Sequence, residues 1–162
     1  MSRAAALEQR LGHRFANGAL LEQALTHRGG TAEHYERLEF LGDSVLDCVI
    51  AEELYRRFAA LREGPLHRLK ETLVREESLA ALARELGLEE VLKPALGQVR
   101  AAALADTLEA IFGAIFLDAG YDRARAAILG LFAQALGRLD PGRIEKDSKS
   151  VLQELVQGRF KK

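Results

Sequence analysis

Cysteine, strand-like alternation and long apolar runs are almost missing from this sequence of 162 residues. The single cysteine, Cys48, excludes a disulfide framework and favours a reducing compartment, so we expect a cytoplasmic protein. Because Cys48 lies in a mostly apolar helical segment, we expect it to be a small buried core residue. No apolar stretch suits a signal peptide or a transmembrane helix, which predicts no association with a membrane.

The charge balance is nearly neutral. Lysine and arginine number 23 and aspartate and glutamate 24, which gives a formal net charge of −1. This balance excludes a uniformly basic nucleic-acid-binding protein, so a polyanionic partner would need a local basic patch or metal ions. Hydrophobic residues make up 48% of the chain, which at this length is enough for one packed domain.

Alanine, leucine, glutamate and arginine are abundant and follow a helical pattern almost throughout, so the sequence predicts an all-α fold. Asn17 is expected to cap a helix, and Pro94 with Gly97 to mark a loop. The triplet DPG at 140–142 separates a first domain, 1–142, from a basic tail, 143–162. Helices are predicted over residues 3–11, 17–26, 35–60, 65–87 with a break near Glu77, 89–93, 101–118 and 122–139.

The segment 33–47, EHYERLEFLGDSVLD, carries five acidic residues among leucine, valine and phenylalanine. On a helix, four of these acids fall within about 80° of one another: Glu36, Glu39, Asp43 and Asp47. Apolar residues occupy most of the remaining circumference, which indicates a central, buried helix. Buried carboxylates are costly unless cations neutralise them. The alternative is a solvated acidic face on a surface helix, and for Asp47 we expect such a solvated position.

A second acidic pair, Asp106 and Glu109, shares one face of the predicted helix 101–118. Small residues surround the pair and would let another helix approach closely: Ala102, Ala103, Ala110 and Gly113. If the two acidic faces meet, four oxygen donors converge. Such a set suits Mg²⁺ or Mn²⁺ better than zinc, which prefers cysteine or histidine. Carboxylates that hold Mg²⁺ at an open face are typical of phosphodiester hydrolysis, so these residues favour a metal-dependent nuclease or phosphatase.

The run HYERLEFLGDSVL closely resembles the signature of the ribonuclease III family, which cuts double-stranded RNA. LADTLEAIFGAIFLDAGY is similar to the second acidic motif of that family. GHRFANGALLEQALTHR and REGPLHRLKETLVREESLAALARELGL are similar to its N-terminal and middle helices. KDSKSVLQELVQGRF is similar to the start of the double-stranded RNA-binding domain that usually follows. The resemblance covers nearly the whole chain and implies a ribonuclease III endonuclease domain-like helical fold that is homodimeric.

The resemblance also implies the roles of particular residues. Glu39, Asp43, Asp106 and Glu109 would be the metal-binding set, with Mg²⁺ as the cofactor and Mn²⁺ as a substitute. Asp43 and Glu109 would be the catalytic residues, and Glu36 would be an accessory acid. Phe40 would pack at the dimer interface.

The implied reaction is cleavage of double-stranded RNA to products with 5′-phosphate and 3′-hydroxyl ends, in ribosomal and messenger RNA processing. No nucleotide cofactor is expected. Gln153 and Gln157, one turn apart in the tail, match positions that would contact the minor groove of the duplex. The segment before the second acidic motif, KPALGQVRAA, is shorter and less basic than in many family members.

Thr26, His27 and Arg28 match a further family segment, and we expect Thr26 and His27 to bond to backbone at a helix end. Two functional alternatives remain open. The fold could serve as a non-catalytic double-stranded RNA-binding or ribosome-associated scaffold dimer. A small helical metal phosphohydrolase that acts on free nucleotides is the third hypothesis.

Overall fold

The structure is a computed structural model that describes residues 1–27 and 35–143, together with residue 153 and residues 156–158 of the tail. The described residues up to 140 form eight helices and no strand, and residues 141–143 are helical as well, which confirms the all-α prediction. The helices are α1 (Arg3–Leu11), α2 (Gly18–Ala24), α3 (Glu36–Arg57), α4 (Glu63–Val74), α5 (Glu76–Glu85), α6 (Leu88–Leu96), α7 (Ala101–Ala119) and α8 (Tyr121–Gly137).

The helix boundaries follow local chemistry in most places. The side chain of Asn17 accepts a hydrogen bond from the backbone N–H of Ala19 at 3.1 Å, which confirms the predicted cap of α2. Arg75 has an extended backbone and separates α4 from α5. The break expected near Glu77 is therefore present, two residues earlier. The proposed division of the chain at residue 142 stays a prediction.

The loop predicted at Pro94 is wrong, because Pro94 lies inside α6 and the helix ends at Gly97. Leu88 and Leu92 are fully buried and fix α6 against the core. The hydrogen bond that proline cannot make would have gone to the carbonyl of Glu90, an exposed residue that water can reach. Packing therefore outweighs the local cost of the proline.

The core is built around α3 and α7, which form the most extensive helix contact in the described part of the chain. Their backbones touch at two glycines. A Cβ atom added to Gly42 would lie 1.7 Å from the carbonyl oxygen of Glu109, and one added to Gly113 would lie 2.3 Å from that of Leu38. Only glycine permits this approach, so the prediction that small residues on α7 admit a second helix is confirmed.

A buried cluster of hydrogen bonds fastens the N-terminal segment to the end of α7. Asp118 accepts hydrogen bonds from His13 Nε2 at 2.9 Å and from the backbone N–H groups of Ala16 and Asn17 at 3.0 and 2.9 Å. The side chains of His13 and Asp118 are only 6% and 3% exposed. Burial alone would raise the pKa of the Asp118 carboxyl, but these donors hold it below its usual range.

One face of α3 is exposed along its length, and we call its members the α3 stripe: Phe40, Ser44, Cys48, Ala51 and Tyr55. Phe40 and Tyr55 are 79% and 73% exposed. The expectation that Cys48 is buried is wrong, because its spacing from Phe40 and Ser44 places it on this exposed face, 3.8 Å from the Tyr121 hydroxyl. None of the helices in the described residues combines the length and the apolar character that crossing a bilayer requires.

Candidate active site

Helices α3 and α7 supply two carboxylates each at the point where they cross. Glu39 and Asp43 flank Gly42 on α3, and Asp106 and Glu109 lie on α7, where the Glu109 carbonyl meets Gly42. Glu39 and Asp106 face each other closely enough to share a hydrogen bond when one of them is protonated. The structure therefore places the four acids grouped from the sequence close enough to perturb one another's ionisation.

Mutual repulsion and burial dominate the electrostatics of these acids. Burial raises the pKa of Glu109 to about 8, with further contributions from Asp43 and Glu39. Burial likewise raises the pKa of Glu39 to about 7, and the negative charge of Asp106 is the next largest cause. The pKa of Asp43 is also raised, by burial and then by Asp47, while Lys70 acts in the opposite direction. The site thus concentrates negative charge in partly dry surroundings, where a cation is strongly favoured.

The chemistry of this donor set fits a hard divalent cation. All four side chains offer carboxylate oxygens, which suit Mg²⁺ or Mn²⁺. In the described part of the chain, no three aspartate, glutamate, histidine or cysteine side chains already converge closely enough to hold one ion. The closest approach that the structure shows is the pair Glu39 and Asp106, and charge–charge repulsion links all four carboxylates.

Three further charged residues belong to the surroundings of the site. Glu36 is exposed in the first turn of α3, at the edge of the cluster. Asp47 is half-buried, and its charge acts on Asp43 and Glu109, so it is less exposed and closer to the site than a solvated surface position predicts. Lys70 on α4 is half-buried and acts on Asp43, a proximity that its position in the sequence does not reveal.

His27 lies closer to the site than its position in the sequence indicates. Thr26 Oγ1 donates to the backbone carbonyl of Glu22 at 2.6 Å, as expected. His27 instead bonds through Nε2 to Oγ1 of Thr107 and stacks on Tyr35. The expected backbone bond of His27 is therefore wrong. Arg28 lies outside the described residues.

Thr107 and Tyr35 were not predicted to lie near the acids. The only local signal for Thr107 was a hydroxyl between two acids in an apolar helix. Gln153 and Gln157 in the tail are both helical and both exposed. Their contact with RNA stays a prediction.

The fold defines the class of protein. The nuclease domain of ribonuclease III from Campylobacter jejuni superimposes with a TM-score of 0.78 and 39% sequence identity, over 86% of this chain and all of that domain. A second structure of that domain, described as showing flexibility in a region involved in dimer formation, gives a TM-score of 0.75 and 40% identity over 80% of this chain and 95% of that one. The chain has the helical fold of a ribonuclease III nuclease domain.

Sequence comparison identifies the family. The Ribonuclease-III-like family pattern matches residues 17–136. Ribonuclease 3 of Bordetella petrii is 51% identical over 161 residues, which cover 96% of this chain. The chain belongs to the ribonuclease-III-like family. It spans 64% of the length of that Bordetella relative.

Proposed function

We propose that this chain is a Mg²⁺-dependent endoribonuclease that cleaves double-stranded RNA and leaves 5′-phosphate and 3′-hydroxyl ends. The observation that carries the proposal is the crossing of α3 and α7, beside which four carboxylates interact electrostatically with little cationic compensation. Membership of the ribonuclease-III-like family supports the choice of substrate. The same family likeness supports a role in ribosomal and messenger RNA processing in the cytoplasm.

The roles of the side chains follow from their positions. Glu39, Asp43, Asp106 and Glu109 would hold Mg²⁺, for which Mn²⁺ could substitute. Bound there, the ion would lower the pKa of a water molecule and stabilise the departing oxygen of the phosphodiester. We assign Asp43 and Glu109 to the reacting centre because of the resemblance of their two motifs to those of the ribonuclease III family. Glu36, at the exposed edge, would be an accessory acid.

The RNA duplex would approach the exposed side of this site. The net charge of −1 leaves few lysines and arginines to offset phosphates, so we expect weak binding that falls steeply with salt. Gln153 and Gln157 would add contacts in the minor groove, where shape and 2′-hydroxyl groups are recognised.

Cleavage of a long labelled duplex at low salt, in Mg²⁺ and in EDTA, tests the proposal. We expect Mg²⁺-dependent cutting of duplex but not of single strands. Glu109→Gln should abolish cutting without loss of helix content, whereas Glu90→Gln, the same change at an exposed position on α6, should cut normally. Normal cleavage by Glu109→Gln would refute the site. Binding without cutting in both Mg²⁺ and Mn²⁺ would favour the scaffold dimer instead.

We further propose that two copies pair through the α3 stripe. Two large side chains at its ends, Phe40 and Tyr55, are almost fully exposed, and the residues between them are small. A cavity of about 490 Å³ lies beside Tyr55, lined also by Ala51, Leu54 and Leu66. If the two stripes run in opposite directions about a twofold axis, Phe40 of each copy reaches this cavity in the other.

Cys48 lies at the midpoint of the α3 stripe, so this arrangement places it near Cys48 of the second copy. Because Cys48 is the only cysteine, a short bis-maleimide should crosslink the dimer at that position alone. Cys48→Ser is the matched control and should give no crosslink. Phe40→Ser should sediment as a monomer. A Phe40→Ser variant that remains dimeric and crosslinks through Cys48 would contradict the arrangement.

A further inference from the structure

His27 contacts elements that lead to both acid-bearing helices. Its Nε2 forms a hydrogen bond with Oγ1 of Thr107 on α7. Its ring stacks on Tyr35, with centroids 3.8 Å apart and planes inclined by 16°. The carbonyl of Tyr35 accepts the backbone N–H of Glu39 at 2.8 Å, in the first turn of α3. One side chain therefore connects the start of α3 with the turn of α7 that carries Asp106.

The direction of the hydrogen bond is fixed by its neighbours. Thr107 Oγ1 donates its single proton to the backbone carbonyl of Ala103 at 2.6 Å, so it must accept from His27 Nε2–H. Thr107 is fully buried, which shields this bond from water. Burial lowers the pKa of His27, and the charge of Asp106 only partly opposes this. The imidazole is thus a neutral donor that acts through Nε2.

The position of Thr107 gives this bond its effect. Thr107 follows Asp106 directly and precedes Glu109 by two residues, so a hydrogen bond to its side chain restrains the rotation of α7 about its axis. The stack on Tyr35 restrains the start of α3 at the same time. Glu39 and Asp106, which face each other across the two helices, therefore have their separation fixed from outside the acidic cluster.

We propose that His27 is a positioning residue that holds Glu39 and Asp106 at the spacing at which they bind a divalent cation. The inference rests on the proposed function. Loss of a side chain that orients metal ligands commonly weakens metal binding by about 10–100-fold. We expect the lower end of that range, because His27 acts through Thr107 and not on a carboxylate itself.

Two pairs of substitutions isolate the hydrogen bond. His27→Phe keeps an aromatic ring against Tyr35 but cannot donate, whereas His27→Gln keeps an N–H donor of similar reach. Thr107→Val removes the acceptor, and Thr107→Ser keeps it. Binding of Mn²⁺ to the purified chain without RNA, followed by electron paramagnetic resonance, should weaken about tenfold in His27→Phe and Thr107→Val. The conservative partners should stay within about threefold of the unsubstituted chain.

Cleavage assays give a second measurement. The Mg²⁺ concentration for half-maximal rate should rise about tenfold in His27→Phe, while the KM for RNA stays unchanged. The double variant His27→Phe with Thr107→Val should be no weaker than either single variant, because both remove the same bond.

The outcomes distinguish the inference from the function on which it rests. Unchanged Mn²⁺ affinity in folded His27→Phe or Thr107→Val, with cleavage intact in the unsubstituted chain, would overturn only the positioning role. A lower Tm with unchanged affinity would overturn it as well, since it would show a purely structural contact. An unsubstituted chain that neither binds Mn²⁺ nor cuts RNA would refute the proposed function and this role with it.

Discussion

Substitution of Gly42 by alanine should disrupt both the fold and the active site. The added Cβ would lie 1.7 Å from the carbonyl oxygen of Glu109 and 2.8 Å from the backbone nitrogen of Gly113. Both atoms belong to the backbone of α7, so no side-chain rotation relieves the clash. The two helices must separate by more than 1 Å to reach even the shortest contacts that Cβ atoms make.

The size of the effect follows from what that separation opens. The α3–α7 contact is the most extensive between helices in the described residues, and both helices carry fully buried side chains such as Leu46, Ile50 and Leu108. Overpacking of a core typically costs about 1–3 kcal/mol, and a backbone clash belongs at the upper end, about 3 kcal/mol. For a chain of this length, such a loss lowers Tm by about 6–12 °C. A displacement of about 1 Å between the acid pairs should reduce cleavage about 100-fold.

Calorimetry and the duplex cleavage assay measure the two effects, and Gly130→Ala provides the control. Gly130 lies in α8, and a Cβ added there meets no atom within 4 Å. The same change should therefore stabilise the protein by about 0.5–1 kcal/mol through helix propensity. Activity should be unaffected. A Gly42→Ala variant with the Tm and activity of the unsubstituted chain would refute the backbone contact between α3 and α7.

Two further predictions concern ionisable groups. The pKa values of Glu39 and Glu109 are raised from 4.5 to about 7 and about 8. At pH values between about 4.5 and 8, the folded chain therefore binds more protons than the unfolded chain. Stability in EDTA should therefore fall as pH rises from about 5 to 8. A Tm that rises over this interval, measured by calorimetry, would contradict the pKa values raised by burial and charge repulsion, and Glu109→Gln should flatten the dependence. Asp118→Ala leaves His13 and two backbone N–H groups without their buried acceptor. It should cost about 2–4 kcal/mol of unfolding free energy in denaturant titrations, with cleavage retained at low temperature, and an unchanged unfolding midpoint would argue against the buried pair.

Periodicity alone was enough to group the acids. A spacing of three or four residues places Glu39 and Asp43 on one helix face, and the same rule applies to Asp106 and Glu109. The small residues beside the second pair indicated that another helix could approach. These are local properties of a helix, and the sequence displays them directly.

Contacts between distant segments could not be predicted in the same way. His27 and Thr107 are 80 residues apart, and only the packing of the intervening helices brings them together. Cys48 has apolar neighbours in sequence, yet its face of α3 is exposed because α7 packs on the other side. Pro94 shows the converse, since burial of neighbouring leucines extends a helix through a residue that normally ends one.

The contact between Gly42 and Gly113 also has a consequence for synthesis of the chain. The two glycines are separated by about 70 residues, so α3 leaves the ribosome well before its principal partner exists. At about 5–20 residues per second, the interval is roughly 4–14 s. During that time the apolar side of α3 has no α7 to cover it, and exposed apolar surface favours aggregation. Aggregation of nascent α3 therefore competes with folding for as long as α7 has not been made.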